Sequence, residues 1–517
     1  MVGNIFSLFE SSCSKFGTKT SLVVDGVQYT YNELLSESRR VANVVRNYKH
    51  KNVGIFGLRS LTCYQGILGV LSSGKTYVPL NPKFPSERNR TIIEMAELDL
   101  IVADANGLEQ IAVIADSLKK NTVLICPQIS QNQVPYSIKG KFEIYTSDIV
   151  ARDTIDLKET SGGEYAYIMF TSGSTGLPKG VPVSHENVFS YINYLKRRYD
   201  INSDDRFSQT FDLTFDLSVH DMFLSWSVGA ALYVIPEANL MAPAKFIREN
   251  KLTIWFSVPS MAQFMNKFRM LKDSCFPSLR YSFFCGEALQ KSIAIAWQKA
   301  ASNSILENIY GPTEATIGIT HYLIPRDETK ILEYNGIVSI GEIFSTQRYC
   351  LIDEKNKIID NCGELCLSGT QITAGYYDKP KQTAESYIKF PNNNKVWYKT
   401  GDIVKFEKGH LFYLSRKDHQ VKIRGYRIEL DEINLAIREY TCCDLVYTIP
   451  YPLSGGAAES LYSFVDSNCV IDKNLILKYL KDKLPEYMVP KNILYIKDFP
   501  LNSNGKIDIK KLSTKVG

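Results

Sequence analysis

A rhythm of short apolar strands and amphipathic helices runs twice along this chain and sharply limits how it can fold. Between residues 20 and 150, "SLVVDGVQYT" reads as a hairpin and "YNELLSESRRVANVVRNY" as a helix. "NVGIFG" follows as a strand, "TCYQGILGVLSSG" as a helix ended by Gly74, and "TYVPLNP" as a further strand. Such alternation folds into parallel sheets covered by helices, because each crossover helix must bury its apolar face on the sheet it joins. The rhythm resumes from 181 to 320, with "HENVFSYINYLKRRYD" and "NLMAPAKFIREN" as helices and "GAALYVIP", "LTIWFSV" and "PSLRYSFFCG" as strands.

After about residue 340 the pattern becomes strand-rich, with "RYCLID", "GELCLSG", "HLFYLS" and "QVKIRGYRIEL" each bounded by Gly, Asp or Asn. A last unit sets the amphipathic helices "DEINLAIREY" and "DKNLILKYLKDKLP" around the strands "LVYTIPY" and "ESLYSFVD". The charged stretch "SRKDHQ", 415 to 420, reads as the junction. The expectation is an α/β protein with a large core, residues 1–416, and a small α+β unit, residues 417–517.

At 517 residues the chain is too long for one ordinary core. Its 44% hydrophobic and 22% charged content is that of a soluble globular protein. The formal charge of +5 is not gathered into a run, so no nucleic-acid surface is indicated. The start "MVGNIFSLFESSCSKFG" reads as a helix with Phe6, Leu8 and Phe9 on its apolar side rather than as a signal peptide. "LSWSVGAALYVIP" is too short to cross a bilayer. Eleven cysteines read as reduced thiols, and Cys362, Cys366, Cys442 and Cys443 match no established metal-ligand spacing. These readings place the chain in the cytoplasm, with no membrane or nucleic-acid partner.

One stretch carries chemistry of its own. In "YIMFTSGSTGLPKG", 167 to 180, a buried strand runs into a loop of glycines and hydroxyls ending near a lysine. Glycines let the backbone approach a ligand, and free amides with hydroxyls suit phosphate oxygens. A serine-rich surface turn would look the same in isolation, and the loop lacks the terminal GK[ST] of the Walker pattern.

Seven stretches then fall in order: "TSGSTGLPKG", "FDLSVHD", "NIYGPTEAT", "GELCLSG", "YKTGD", "VKIRGYRIEL" and "NSNGKID". On these the chain resembles the adenylate-forming enzymes, and within them the amino-acid adenylation domains of nonribosomal peptide synthesis and their stand-alone relatives. The resemblance implies an acyl-CoA synthetase-like fold with a mobile C-terminal unit. It implies ATP and Mg²⁺ as cofactors and two half-reactions, adenylate formation and then transfer to the phosphopantetheine thiol of a carrier protein.

Residue by residue, the resemblance implies that Thr171, Ser172, Gly173, Ser174, Thr175, Gly176 and Lys179 hold the β- and γ-phosphates. Tyr310 lies near adenine, Thr313 near the α-phosphate, and Glu314 on Mg²⁺, a hard cation suited to carboxylate oxygens. Asp402 accepts from the ribose hydroxyls with Arg416 assisting, although Ser415 departs from the glycine usual before that arginine. Lys506 places positive charge between the substrate carboxylate and the phosphate, and Asp418 is the hinge. Linker polarity explains Asp418 equally well.

Asp216 is expected to pair with a substrate α-ammonium, because a buried carboxylate without a cation is costly. Leu217, His220, Ser260, Phe283, Cys285, Ile309, Ile317 and Gly318 are expected to complete a pocket with no charged side chain. A small or medium apolar amino acid follows, read first as L-proline activated for natural-product biosynthesis. D-alanine for cell-wall modification is the alternative, and a CoA-dependent carboxylic acid ligase a third reading. The chain is expected to act as a monomer on a carrier protein supplied in trans.

Overall fold

The alternation of strand and helix resolves into layered sheets in a computed structural model. It describes residues 3–150, 165–173, 176–240, 242–391, 395–418, 420–452, 458–469, 471–500 and 507–516. Among the described residues, one sheet runs in the order Glu143–Thr146, Val123–Cys126, Leu100–Ala103, Asn52–Phe56, Thr76–Leu80, Tyr165–Thr171, Lys179–Ser184. All its pairs are parallel except the last, which folds back antiparallel as the arm carrying the glycine-rich loop.

A second sheet places Ile305–Tyr310, Tyr281–Phe284, Ile254–Ser257, Arg206–Gln209 and Ala231–Val234 side by side in parallel. The hairpin Thr20–Val24/Val27–Thr30 extends one edge, and the antiparallel Thr320–Leu323 extends the other. Fully buried parallel strands are apolar on both faces, and Ile254–Ser257 is buried at every position.

Helix ends follow local chemistry. The helix Tyr31–Val45 starts where the Thr30 side chain accepts from the Glu33 amide and Glu33 reaches back to the Thr30 amide, an arrangement worth about 1 kcal/mol. The helix Leu61–Ser72 stops short of Gly74, whose φ of 70° is left-handed. The first helix, Phe6–Phe16, buries Phe6, Phe9 and Cys13, and the half-buried Leu8 packs against the same core, as expected. One expectation needs correction. Among the described residues, the α-helix within "NLMAPAKFIREN" covers Ala244–Glu249, because Pro243 cannot sit inside a helix and restrains the residue before it.

A third, antiparallel sheet joins Gln347–Ile352, Cys362–Gly369, Trp397–Glu407 and His410–Arg416. Beyond Arg416 the chain forms the hairpin Gln420–Ile423/Tyr426–Glu429, the helix Leu430–Thr441 and a sheet of Val446–Tyr451, Ser460–Asp466 and Asn492–Ile496. This last part has its own apolar cluster around Ile433, Ile437, Val465, Ile476 and Leu480. No helix among the described residues is long and apolar enough to cross a membrane.

Candidate functional site

Strand geometry gathers the expected residues at one edge of the core. Trp397–Glu407 and His410–Arg416 pair so that Asp402 faces Arg416. Arg416 Nη1 donates to Asp402 Oδ1 at 3.0 Å and to the Thr400 carbonyl at 2.7 Å. Its Nε and Nη2 donate to the Asp418 carboxylate at 2.9 and 2.5 Å, and the Tyr310 hydroxyl donates to Asp402 Oδ2. Gly401 makes this approach possible: its φ is 74°, and a Cβ there would lie 2.7 Å from Arg416 Nη2. Burial alone would raise Asp418, but Arg416 reverses this and holds the carboxyl below its usual range.

Two adjoining clefts meet at Gly286, Arg416, Gln420 and Lys422. One, of about 700 Å³, lies between Tyr310 and the segment Gly286 to Leu289, with Asn308 and Tyr413 on its walls. The other, of about 830 Å³, is walled by Thr171, Ser172, Asp216, Leu217, Cys285 and Thr313 from the core. Lys422, Gly425 and Arg427 close it from the far side.

Asp216 stands at the start of the buried helix Leu217–Trp226, and Oδ2 accepts from the Ile317 amide at 3.3 Å. Burial pushes its carboxyl up to about 6, opposed by that amide and the Thr313 hydroxyl. No lysine or arginine among the described residues forms an ion pair with it. His220, Phe283, Ile309 and Ile317 are at most 2% exposed. His220, Phe283 and Ile317 lie behind the cleft walls, whereas Ile309 lines the cleft beside Tyr310. His220 Nδ1 shares a 2.7 Å hydrogen bond with the Tyr191 hydroxyl, and its ring centroid is 4.3 Å from that of Phe256. Burial pushes the imidazole down to about 3, so it is neutral. A Cβ on Gly318 would lie 2.4 Å from Ile309 Cγ2.

The structure does not bring Ser260 to the cleft. Its amide donates to Glu287 Oε2 at 2.9 Å from the first turn of the helix Pro259–Lys267. Side chains alternate along the preceding strand, so Phe256 and Val258 join the cluster shared with Leu217 and Cys285, while Trp255 packs on the other face.

The glycine-rich loop joins the last two strands of the first sheet. Ser172 Oγ donates to the Arg427 carbonyl at 2.7 Å. Gly176, with φ of 80°, packs so closely under Leu435 that a Cβ would lie 2.7 Å from Leu435 Cδ2. Ser174, Thr175 and Lys506 lie outside the described residues. Lys179 Nζ sits 4.5 Å from the Tyr376 ring centroid and 3.6 Å from Glu314 Oε1. Burial and Arg427 push Lys179 down to about 8 against the pull of Glu314.

Glu314 is wholly buried. Arg427 Nη1 donates to both its oxygens, at 3.0 and 2.8 Å, and the Tyr376 hydroxyl donates to Oε1 at 2.9 Å. Burial would raise this carboxyl; Arg427 and Lys179 instead hold it well below the usual range. Arranged this way, Glu314 does not fit Mg²⁺, since a guanidinium occupies the oxygens a metal would need. Arg427 lies 113 positions from Glu314, and although its motif was legible, no local pattern announces that pairing. Lys422 and Glu287 were missed for the same reason.

The sequence matches the AMP-binding enzyme family over residues 9–377. The chain belongs to that family. It is 30% identical to zwittermicin A synthase ZmaJ of Bacillus cereus over 98% of this chain and 94% of the relative. It is 28% identical to the D-alanine–D-alanyl carrier protein ligase of Listeria monocytogenes over 95% of both chains. The crystal structure of the Vibrio cholerae adenylation domain AlmE in complex with glycyl-adenosine-5'-phosphate is similar with a TM-score of 0.89 and 32% identity. That match covers 100% of this chain and 98% of AlmE. Against several other synthase relatives, this AMP-binding enzyme spans only 6–19% of their own length. Its fold is the adenylate-forming, acyl-CoA synthetase-like α/β fold.

Proposed function

We propose that the protein activates a small amino acid with ATP, forming the aminoacyl-adenylate and pyrophosphate, and then passes the acyl group to a thiol. The observation that carries this is Asp216, a buried carboxylate on the cleft wall that no lysine or arginine among the described residues contacts as an ion pair, Lys422 of the same cleft acting on it only through space. A substrate α-ammonium supplies the missing charge.

In this reading a substrate carboxylate oxygen bonds to the α-phosphorus of ATP as the bond to pyrophosphate breaks. The nucleoside takes the cleft between Tyr310 and Gly286, with Asp402 accepting from the ribose diol. Thr313 lines the junction between amino acid and α-phosphate. The glycine-rich loop with Lys179 receives the outgoing phosphates, and Lys506 contributes charge at the reacting centre. A thiolate then attacks the acyl carbon, the thioester forms, and AMP leaves. The thiol belongs in this reading to the phosphopantetheine arm of a carrier protein acting in trans, as part of natural-product or cell-envelope chemistry.

The substrate side chain is small. His220 and Phe283 pack against each other, Ile317 is buried in the same apolar cluster as Phe283, and Gly318 admits no Cβ without displacing Ile309. On this packing we read glycine or alanine ahead of L-proline, the first expectation. The glycyl-adenylate in AlmE and the D-alanine of the Listeria ligase are the same size class. A ligase of acids without an amino group leaves Asp216 unexplained.

The test is exchange of labelled pyrophosphate into ATP across glycine, both alanine enantiomers, L-proline, the remaining amino acids and simple carboxylic acids. Exchange with glycine or alanine supports the proposal, and a dominant L-proline signal would restore the larger substrate. Exchange only with acids lacking an amino group would overturn the role of Asp216.

A further inference from the structure

The third sheet holds a pair of thiols that sequence reading left as separate cysteines. Its strands Gln347–Ile352 and Cys362–Gly369 run antiparallel, and their register sets Cys350 directly opposite Cys366. Side chains alternate along each strand. Leu351, Leu365 and Leu367 join an apolar cluster on one face, while Cys350, Ile352 and Cys366 gather with Trp397 on the other. Both sulfurs therefore leave the sheet on the same side. The Cα atoms of opposed residues in an antiparallel pair lie about 4.5–5.5 Å apart, within the span of about 4.4–6.8 Å that a disulfide bridges. A bond between them closes without moving either strand far.

The two thiols differ in reach. Cys350 is half-buried, whereas Cys366 is fully buried. The Cys366 thiol, as hydrogen-bond donor, holds Cys350 below the usual thiol range against the opposing effect of burial. The same contact, burial and the neighbouring Cys350 sulfur push Cys366 up. One sulfur is thus reachable as a thiolate and the other stands protonated beside it, the asymmetry that separates an attacking thiol from a resolving one. Other cysteines lack this arrangement. Burial pushes Cys13, Cys126 and Cys285 up to about 12, which leaves them inert, and the exposed Cys362 has Lys405 opposite it.

We propose that Cys350 and Cys366 form a redox-active dithiol that takes low-molecular-weight disulfides, with Cys350 attacking and Cys366 resolving. The Cys350 thiolate bonds to one sulfur of the small disulfide, and the first small thiolate leaves as that bond breaks. Cys366 then loses its proton and attacks Cys350 Sγ, forming the intrachain bond and expelling the second small thiolate. Two protein thiols are oxidised, one small disulfide is reduced, and the two protons end on the two small thiols. The repulsion that Cys350 exerts on a Cys366 thiolate ends once Cys350 is bonded to sulfur, so the first step eases the second. Neither cysteine lines the clefts around Asp216 and Tyr310, so the dithiol stands independently of the adenylation reading.

The test incubates the reduced, intact protein with glutathione disulfide, quenches with acid, blocks the remaining thiols and maps the peptides by mass spectrometry. The parent is expected to lose two hydrogens and to yield linked peptides holding Cys350 and Cys366, a link that dithiothreitol reverses. Cys366→Ser is expected to accumulate a glutathione adduct on Cys350 that does not resolve, and Cys350→Ser to form neither the link nor an adduct on Cys366. Melting temperatures in reductant close to the parent's show that both variants are folded. The map of the parent decides the matter without them. A link between Cys443 and Cys469, the neighbouring pair beyond the helix Leu430–Thr441, overturns the proposal. So do adducts confined to the exposed Cys362 and Cys442, or no reaction at glutathione disulfide concentrations that oxidise dithiothreitol. A lasting adduct on Cys350 in the parent overturns the resolving role of Cys366.

Discussion

Replacing Asp216 with asparagine should make the protein more stable and less active, and both effects follow from one carboxylate. Burial pushes Asp216 from 3.8 up to about 6. Because the folded-state value lies above the unfolded one, the ionised group opposes folding above pH 6, and the opposition vanishes as pH falls from 6 toward 3.8. The difference corresponds to about 3 kcal/mol at neutral pH and above, an upper bound for a fully buried group. Asparagine keeps an oxygen for the Ile317 amide and has no charge to desolvate. Asp216→Asn should therefore melt at a higher temperature than the parent at pH 8 and at nearly the same temperature at pH 4. The same change removes the partner of the substrate ammonium, a charge-assisted interaction worth about 1.5–3 kcal/mol, which predicts a loss of about 10- to 150-fold in kcat/KM for the amino acid. The KM for ATP should hold. Thermal melts at the two pH values, with pyrophosphate exchange on the same preparations, make the comparison. A stability gain equal at both pH values, or none at pH 8, would refute the burial argument, and unchanged kcat/KM would refute the ammonium pairing.

Two further perturbations probe separate parts of the site. Lys506→Ala should reduce pyrophosphate exchange by about a hundred- to a thousandfold, the scale of losing one preorganised charge-stabilising group, while nucleotide binding by calorimetry persists; exchange at the parent rate would remove Lys506 from the chemistry. Gly318→Ala sets a methyl 2.4 Å from Ile309 Cγ2, and overpacking of this kind costs about 1–3 kcal/mol. The variant should show a lower melting temperature and a higher amino-acid KM, and an unchanged pair of values would mean the wall behind Asp216 is looser than described.

The sequence was most informative where structure follows local pattern. The strand–helix alternation located both parallel sheets, and the apolar run Tyr167 to Phe170 marked the strand Tyr165–Thr171 from which the glycine-rich loop leaves, although Thr171, Lys179 and Gly180, read as loop, belong to the flanking strands. Asp402, Arg416 and Asp418 were legible as separate motifs, yet their shared hydrogen bonds depend on a strand pairing that sequence reading left open. Ser260 was misplaced because a strand-to-helix turn at Pro259 carries the next residue away from the site, a matter of one or two positions. Arg88 with Glu432 and Arg427 with Glu314 were invisible, since 344 and 113 residues separate the partners and nothing local sets their approach. They depend on how the segment after Arg416 sits on the core.

Incubation with ATP, Mg²⁺ and a single amino acid, followed by mass spectrometry of the quenched mixture, is the most direct test of amino-acid adenylation. The account predicts a glycyl- or alanyl-adenylate that disappears in Asp216→Asn. Adenylates formed only from acids without an amino group, equally well by both proteins, would contradict it.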